Sequence, residues 1–364
     1  MEVKLIKNTD STDNAVIAQM QNMGHEQILF CNDSATGLKA IIAVHNTVLG
    51  PALGGTRMWS YQNEAEALND VLRLSKGMTY KNAISGLNLG GGKAVIIGNS
   101  RTDKTEALFR RFGKFVNSLG GKYITAEDVG ISPIDMNWVN METNHVVGLP
   151  GKSGDPSPLT ALGVYVGMKA CAKIQFGSDS LKGKKIAVQG VGHVGEYLVS
   201  HLVKEGALVS VTDIHDDILS RIAKDYGVSV VGTDEIYDLD MDIYAPCALG
   251  STVNDENLSR LKCGIIAGAA NNQLKDETIH SQELLNKKII YAPDYVINAG
   301  GVINCFSEVK GLSSDWSNSK TKEIYDTIFN IVKRSKDEGL STHTIANKMA
   351  EERIESIGKV KLPM

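Results

Sequence analysis

The feature that most restricts the fold is one stretch in which an apolar run, Lys185-Ile-Ala-Val-Gln189, leads into Gly190-Val-Gly192-His-Val-Gly195 and a helical pattern through Leu202. A second apolar run, Ala207-Leu-Val-Ser-Val-Thr212, follows and ends against Asp213. A lone G-x-G-x-x-G is weak, but between a strand and a helix, with an acidic residue closing the next strand, it predicts a βαβ unit for a dinucleotide. Gly190 permits the tight turn, Gly192 lets backbone approach a pyrophosphate at the positive helix N-terminus, and Gly195 allows helix and strand to pack closely. Val191, His193 and Val194 complete the candidate cofactor loop, His193 reading as a solvent-facing loop residue and not as a catalyst. Asp213, twenty-three residues after Gly190, can accept hydrogen bonds from a ribose 2′-OH and would repel a 2′-phosphate, so the expected cofactor is NAD.

Strand and helix keep alternating beyond this unit, with further strands at Ile243-Tyr-Ala245, Gly264-Ile-Ile-Ala267 and Ile289-Ile-Tyr-Ala292. Three loops are expected after them: Cys247-Ala-Leu-Gly250, Ala269-Ala-Asn-Asn-Gln273, and residues 294–304. Ligands of open parallel sheets bind at the carboxyl ends of strands, so these loops should face the nicotinamide end of the cofactor, with Ala248 as a contact. Asn271 and Asn272 suit amide recognition and suit ordinary turn chemistry equally well.

At 364 residues the chain is long enough for two domains. Three prolines and three glycines crowd into residues 148–158, which marks a hinge. The first part mixes short β-branched runs with helical patterns. Its best-marked helix is capped by Asn63 with Glu66 three residues on, and is expected to end around Gly77. The whole reads as α/β, a first α/β domain and a Rossmann-type domain separated by a cleft.

Past Gly77, Lys81 and Lys93 lie twelve residues apart around a glycine-rich turn, Leu89-Gly-Gly-Gly-Lys93. This is not a Walker A loop, because Leu87 and Ala94 stand where that motif needs glycine and a hydroxyl residue. A water-poor setting and a second ammonium would both depress a lysine from its usual value of about 10.4 toward general-base use. Glu127 and Asp128, at the end of the run from Tyr123, are alternative carboxylate partners that spacing does not separate.

A net charge of −4 offers no broad basic surface, which argues against nucleic acid. The five scattered cysteines suggest neither a disulfide framework nor a thiolate metal site, and no metal is expected. With no apolar run near eighteen residues and no secretory leader in Met-Glu-Val-Lys-Leu-Ile-Lys-Asn, a cytoplasmic protein without membrane contact is expected.

Eight segments in order resemble the amino-acid dehydrogenases of the Glu/Leu/Phe/Val group: Gly50-Pro-Ala-Leu-Gly-Gly-Thr-Arg-Met58, Gly77-Met-Thr-Tyr-Lys81, Leu89-Gly-Gly-Gly-Lys93, Ile124-Thr-Ala-Glu-Asp128, Gly190-Val-Gly192, Ala245-Pro-Cys-Ala-Leu-Gly250, Gly268-Ala-Ala-Asn-Asn-Gln-Leu274 and Ala292-Pro-Asp-Tyr-Val-Ile-Asn-Ala-Gly-Gly301. The resemblance implies a substrate-binding and oligomerisation domain of residues 1–147 plus about 340–364, and an NAD-binding domain of residues 148–339. It implies that Lys81 binds the substrate carboxylate, that Lys93 is the catalytic lysine, and that Asp128, not Glu127, moves protons. Thr160 and the asparagine pair would hold the nicotinamide carboxamide or the substrate. Gly54 and Gly55 would lie along the substrate, with Leu53, Ala126, Val302 and Cys305 around its side chain.

The implied reaction is reversible NAD-dependent oxidative deamination of a branched-chain L-amino acid, leucine favoured, to 2-oxo acid and ammonia. Hinge closure would exclude water. Phenylalanine, valine or tryptophan is the alternative substrate, and a non-catalytic NAD-responsive binding protein a more distant one. A homo-oligomer is implied, octamer favoured and dimer possible. Three positions depart from the family pattern: Cys305 for the valine expected in the branched-chain enzymes, Asp155 for asparagine, and His193 for asparagine.

Overall fold

A computed structural model describes residues 15–149 and 154–360. Residues 150–153, at the centre of the expected hinge, lie outside the described residues. The chain divides into two compact units, one running to Thr79 and resuming at Leu89–Val146, the other comprising Tyr80–Asn88 and the chain from Val147 on.

The first unit is built on a mixed sheet of β1 (Gln27–Asp33), β2 (Leu38–Asn46), β3 (Ala52–Leu53), β4 (Thr56–Trp59), β5 (Gly90–Ile97) and β6 (Tyr123–Ile124). Its order is β1-β2-β5-β3-β6, with β4 also on β5. The run from Leu38 to Val44 is apolar at almost every position because β2 is buried nearly throughout, between antiparallel partners β1 and β5. Ile41, Ala43 and Val95 pack with Leu68, Val71 and Leu72 of the helix Glu64–Ile84.

Two expectations change here. The helix does not stop at Gly77 but runs to Ile84, which puts Lys81 in its last turn. A Cβ at Gly77 would meet nothing within 4 Å, so the glycine is neither forced by packing nor a stop. Its helix cost of about 1 kcal/mol is small against the buried face of Leu68, Val71, Leu72, Ser75 and Thr79. Second, Gly90, Gly91 and Gly92 form no turn; they begin β5. A Cβ on Gly90 would lie 1.9 Å from the Asn46 carbonyl oxygen, on Gly91 2.1 Å from the Thr79 nitrogen, and on Gly92 2.7 Å from the Tyr123 ring. Backbone and ring fill the space that side chains at these three positions would need.

The second unit carries a fully parallel sheet, β12-β11-β10-β7-β8-β9, from β7 (Lys185–Gln189), β8 (Leu208–Thr212), β9 (Ser229–Val230), β10 (Ile243–Pro246), β11 (Ile265–Ile266) and β12 (Ile290–Tyr291). The expected loop of residues 294–304 is instead two helices, Asp294–Ile297 and Gly300–Lys310. Gly300 opens the second helix where a Cβ would come within 2.1 Å of the Leu159 carbonyl oxygen, so the glycine serves helix packing.

The helix Thr342–Val360, which the resemblance groups with residues 1–147, packs on the helices Ile324–Glu338 and Glu277–Asn286 and on β12 in the second unit, which also takes in residues 80–88. It holds residues 80–88 there: Glu351 accepts from the Tyr80 hydroxyl at 2.7 Å, and Arg353 donates to the Leu87 carbonyl at 2.8 Å and to Asn88 Oδ1 at 2.9 Å. Among the described residues no helix is long and apolar enough to cross a membrane.

Candidate active site

In the first unit, β5 places Lys93 with the residue only 5% exposed. Its Nζ lies 2.9 Å from Oδ2 of Asp128. Asp128 follows β6 after Ala126 and Glu127, and period-two alternation separates the acids: Glu127 is exposed while Asp128 reaches Lys93. Burial pushes the Lys93 ammonium below its ordinary value; Asp128 opposes this and Arg57 adds to it. The nearby cation is thus an arginine that the sequence analysis did not single out. Burial works to raise the Asp128 carboxyl, but Lys93 and then Arg57 outweigh it and hold it below the usual carboxylate range.

Arg57 of β4 donates from Nε to Asp128 Oδ2 and from Nη1 to Asp70 Oδ2, each at 3.0 Å. Leu53 and Ala126 are buried nearby in sequence on β3 and after β6. Gly54 and Gly55 are forced by backbone approach, since their Cβ atoms would lie 1.7 Å from the Gly92 carbonyl oxygen and 2.5 Å from that of Glu127.

In the second unit, Lys81 donates to Oδ1 of Asn298 at 2.7 Å. The Asn298 amide nitrogen donates to Oδ1 of Asn271 at 2.8 Å and to the Ala269 carbonyl at 3.0 Å. Asn298 therefore joins Lys81 to the loop after β11, a link missing from the sequence-based expectations although Asn298 stood in a quoted segment. Asn272 has a left-handed φ of 52° and is exposed, and the buried Gln273 ties the loop by donating to the Gly268 and Ala270 carbonyls. Thr160 donates to the Pro156 carbonyl at 3.0 Å, and its hydroxyl would sit 3.4 Å from a Cβ on Gly301. Val302 and Cys305 occupy one face of the helix Gly300–Lys310, three residues apart.

The fingerprint loop follows β7. Gly190 takes φ 94°, and its Cβ would collide with Ala248 at 2.6 Å; a Cβ on Gly195 would fall 2.1 Å from the Gly190 carbonyl oxygen. At Gly192 a Cβ would meet nothing within 4 Å, and the helix His193–Glu205 has no side-chain cap, so its first amides point into open space. These residues fit a pyrophosphate. Val191 is buried and donates its N–H to Asp213 Oδ2 at 2.8 Å, while Oδ1 accepts from Ile214 at 2.8 Å. His193 is exposed and Val194 half-buried.

One cluster outside these sites brings ligand atoms of Asp255, His280 and Glu283 within 4.8 Å of one another. Nδ1 of His280 lies 2.9 Å from the Asp276 nitrogen and 3.0 Å from the Asp276 carbonyl oxygen, and Nε2 lies 3.6 Å from Oδ1 of Asp255.

A parallel sheet with a fingerprint loop in one unit and a buried lysine–carboxylate pair in the other suit a nucleotide-dependent dehydrogenase, the class to which sequence comparison assigns the chain. Residues 25–145 match the family model described as Glu/Leu/Phe/Val dehydrogenase, dimerisation domain, and residues 215–360 match that described as Glutamate/Leucine/Phenylalanine/Valine dehydrogenase. The chain belongs to this family. It is 53% identical to the leucine dehydrogenase of Geobacillus stearothermophilus over 94% of each chain, and 54% identical to that of Bacillus subtilis over 92% of this chain and 93% of the relative. The crystal structure of L-tryptophan dehydrogenase from Nostoc punctiforme superposes with a TM-score of 0.85 at 45% identity, covering 94% of this chain and 99% of that one. The protein is an amino-acid dehydrogenase with a nicotinamide cofactor.

Proposed function

We propose that the protein catalyses the reversible NAD-dependent oxidative deamination of a branched-chain L-amino acid, leucine before others, to the 2-oxo acid and ammonia. The observation that carries the proton chemistry is the buried Lys93 ammonium 2.9 Å from the Asp128 carboxylate. A nicotinamide held at the fingerprint loop would supply the acceptor for the hydride leaving the substrate Cα. Asp128 takes a proton from the substrate amino group. Lys93, its charged form disfavoured by burial, assists attack by water in its neutral form, and as the carbinolamine collapses Asp128 shuttles the hydroxyl proton to the departing nitrogen. Lys81, steadied by Asn298, binds the substrate carboxylate, and Asn271, Asn272 and Thr160 hold the carboxamide or substrate. Asp213, at the end of β8, supports NAD over its 2′-phosphorylated form.

Val302, Leu53 and Ala126 are apolar and buried, which suits an aliphatic substrate, and identity to two leucine dehydrogenases supports leucine. Cys305 replaces the expected valine, a methyl-scale change worth about 1 to 3 kcal/mol of discrimination. The match to a dimerisation-domain model supports a homo-oligomer; an octamer is the favoured form and a dimer the alternative, distinguished by light scattering. Five cysteines without a disulfide support a cytoplasmic location. A panel of L-amino acids with NAD, followed at the NADH absorbance band, tests the reading. Leucine, isoleucine and valine should lead; phenylalanine or tryptophan leading would replace the substrate assignment, and no NADH with any amino acid would end it.

A further inference from the structure

The Lys93–Asp128 pair does not stand alone. Thr56 pairs with Ala94 and Arg57 with Val95 in the parallel register of β4 on β5, so Arg57 and Lys93, two residues before Val95, share one face of the sheet. Thr56 also bridges to Glu127, which turns Asp128 to that same face. The Arg57 guanidinium spans two carboxylates, with Nε on Asp128 and Nη1 on Asp70. Asp70 is itself fixed: its Oδ2 accepts the Tyr61 hydroxyl at 2.8 Å and its Oδ1 accepts from Arg73 at 3.1 Å.

The atom that receives these contacts is informative. Lys93 and Arg57 both engage Oδ2 of Asp128, and among the described residues no hydrogen bond reaches Oδ1. A carboxylate facing a single lysine can rotate to share both oxygens with it. With a second cation on the same oxygen, rotation would break one of two charge-assisted bonds. The side chain is 25% exposed, so Oδ1 is left to meet a ligand.

We propose that Arg57 is a positioning residue for the reaction: anchored through Asp70, it clamps Oδ2 of Asp128 so that Oδ1 is presented to the substrate amino group, and it places a permanent positive charge beside Lys93. This rests on the reading of Lys93 and Asp128 as the proton-transfer pair. Lysine cannot replace Arg57, because a single ammonium does not reproduce a planar fork set across two carboxylates. The charged and titratable groups facing Arg57 are Asp128, Asp70 and Tyr61, with Lys93 across the shared oxygen.

The test measures kcat and KM for leucine oxidation with NAD across pH 6 to 11 in the intact oligomer, with the thermal midpoint as a folding control. Arg57→Met is expected to lower kcat/KM by about 100-fold and to move the acid limb of the profile up by about one pH unit, because removing a neighbouring cation raises the lysine's pKa. Arg57→Lys keeps a charge there, so the limb stays near its wild-type position while kcat still falls by about tenfold or more. Asp70→Asn leaves Arg57 in place but loosens its anchor; kcat falls by roughly tenfold with little change in KM, and this variant carries the test if Arg57→Met does not fold. A wild-type limb together with kcat/KM within threefold in Arg57→Met, or wild-type kcat in Asp70→Asn, overturns the proposal. Asp128→Asn separates the two levels. Normal turnover there removes the underlying reading, whereas a dead Asp128→Asn beside a wild-type-like Arg57→Met removes only the role of Arg57.

Discussion

Nζ of Lys93 lies 2.9 Å from Oδ2 of Asp128, and the lysine is almost completely enclosed while the carboxylate keeps an exposed edge. Truncation to Lys93→Ala therefore removes the proposed proton carrier and leaves the fingerprint loop of the second unit unaltered. Turnover should drop by about 10² to 10⁴, and NAD affinity measured by fluorescence titration should stay within a fewfold of wild type. Undiminished turnover would strip Lys93 of its role.

Asp213 accepts the Val191 amide on Oδ2 and the Ile214 amide on Oδ1, which fixes the carboxylate that is proposed to meet the ribose. Replacing it with alanine should lower kcat/KM for NAD by roughly 10- to 100-fold, the range for loss of hydrogen bonds to a charged group, and do less harm with NADP. The quantity to measure is the NAD/NADP ratio of kcat/KM; an unchanged ratio would deny the ribose contact.

Two glycines of the resemblance segments should answer oppositely to alanine. Gly54→Ala sets a methyl group 1.7 Å from the Gly92 carbonyl oxygen, and backbone cannot swing aside as a side chain can; the loss should be at least about 3 kcal/mol. Gly77→Ala, in a helix with open space around it, should gain up to about 1 kcal/mol. Urea midpoints compare the two, and a stabilised Gly54→Ala would show that the close approach is not there.

A buried histidine pair gives the first unit an acid limit. His45 is bonded to the Thr79 hydroxyl at 2.7 Å and to the Met23 carbonyl at 3.0 Å, with the His25 ring edge-on 4.7 Å away. Burial, and for His45 also its neighbour His25, pushes each pKa down from 6.5 to about 4. Between those values the unfolded chain binds the protons, so stability falls as pH drops from 6.5 to about 4, by about 1.4 kcal/mol per pKa unit and group. His45→Gln removes one titrating ring, and its urea midpoint should fall less between pH 7 and pH 5 than that of wild type. Equal falls would refute the linkage.

The nucleotide fingerprint was legible because its spacing is set within one βαβ unit, from the Gly195 contact with the Gly190 carbonyl to Asp213, although the residue that excludes a side chain at Gly190 is Ala248, after β10. The substrate half was legible in its lysines and in Asp128 only through family resemblance. Spacing alone did not choose between Glu127 and Asp128; strand alternation does. Arg57 and Asn298 escaped because their partners are 71 and 217 residues away in sequence. Gly90 to Gly92 were misread for the same reason. Glycine usually signals a turn, and only the approach of Asn46, Thr79 and Tyr123 from other elements makes a glycine-rich strand necessary.

The grip of Glu351 and Arg353 on residues 80–88 has a consequence for the order of assembly. The turn that carries Lys81 is synthesised some 270 residues before the side chains that hold it. The nucleotide fingerprint has its whole βαβ unit by Asp213, whereas the Lys81 turn must wait for a segment some 270 residues downstream. Lys81, the proposed carboxylate ligand, is thus set in place later than the fingerprint loop, whose own βαβ unit is already complete.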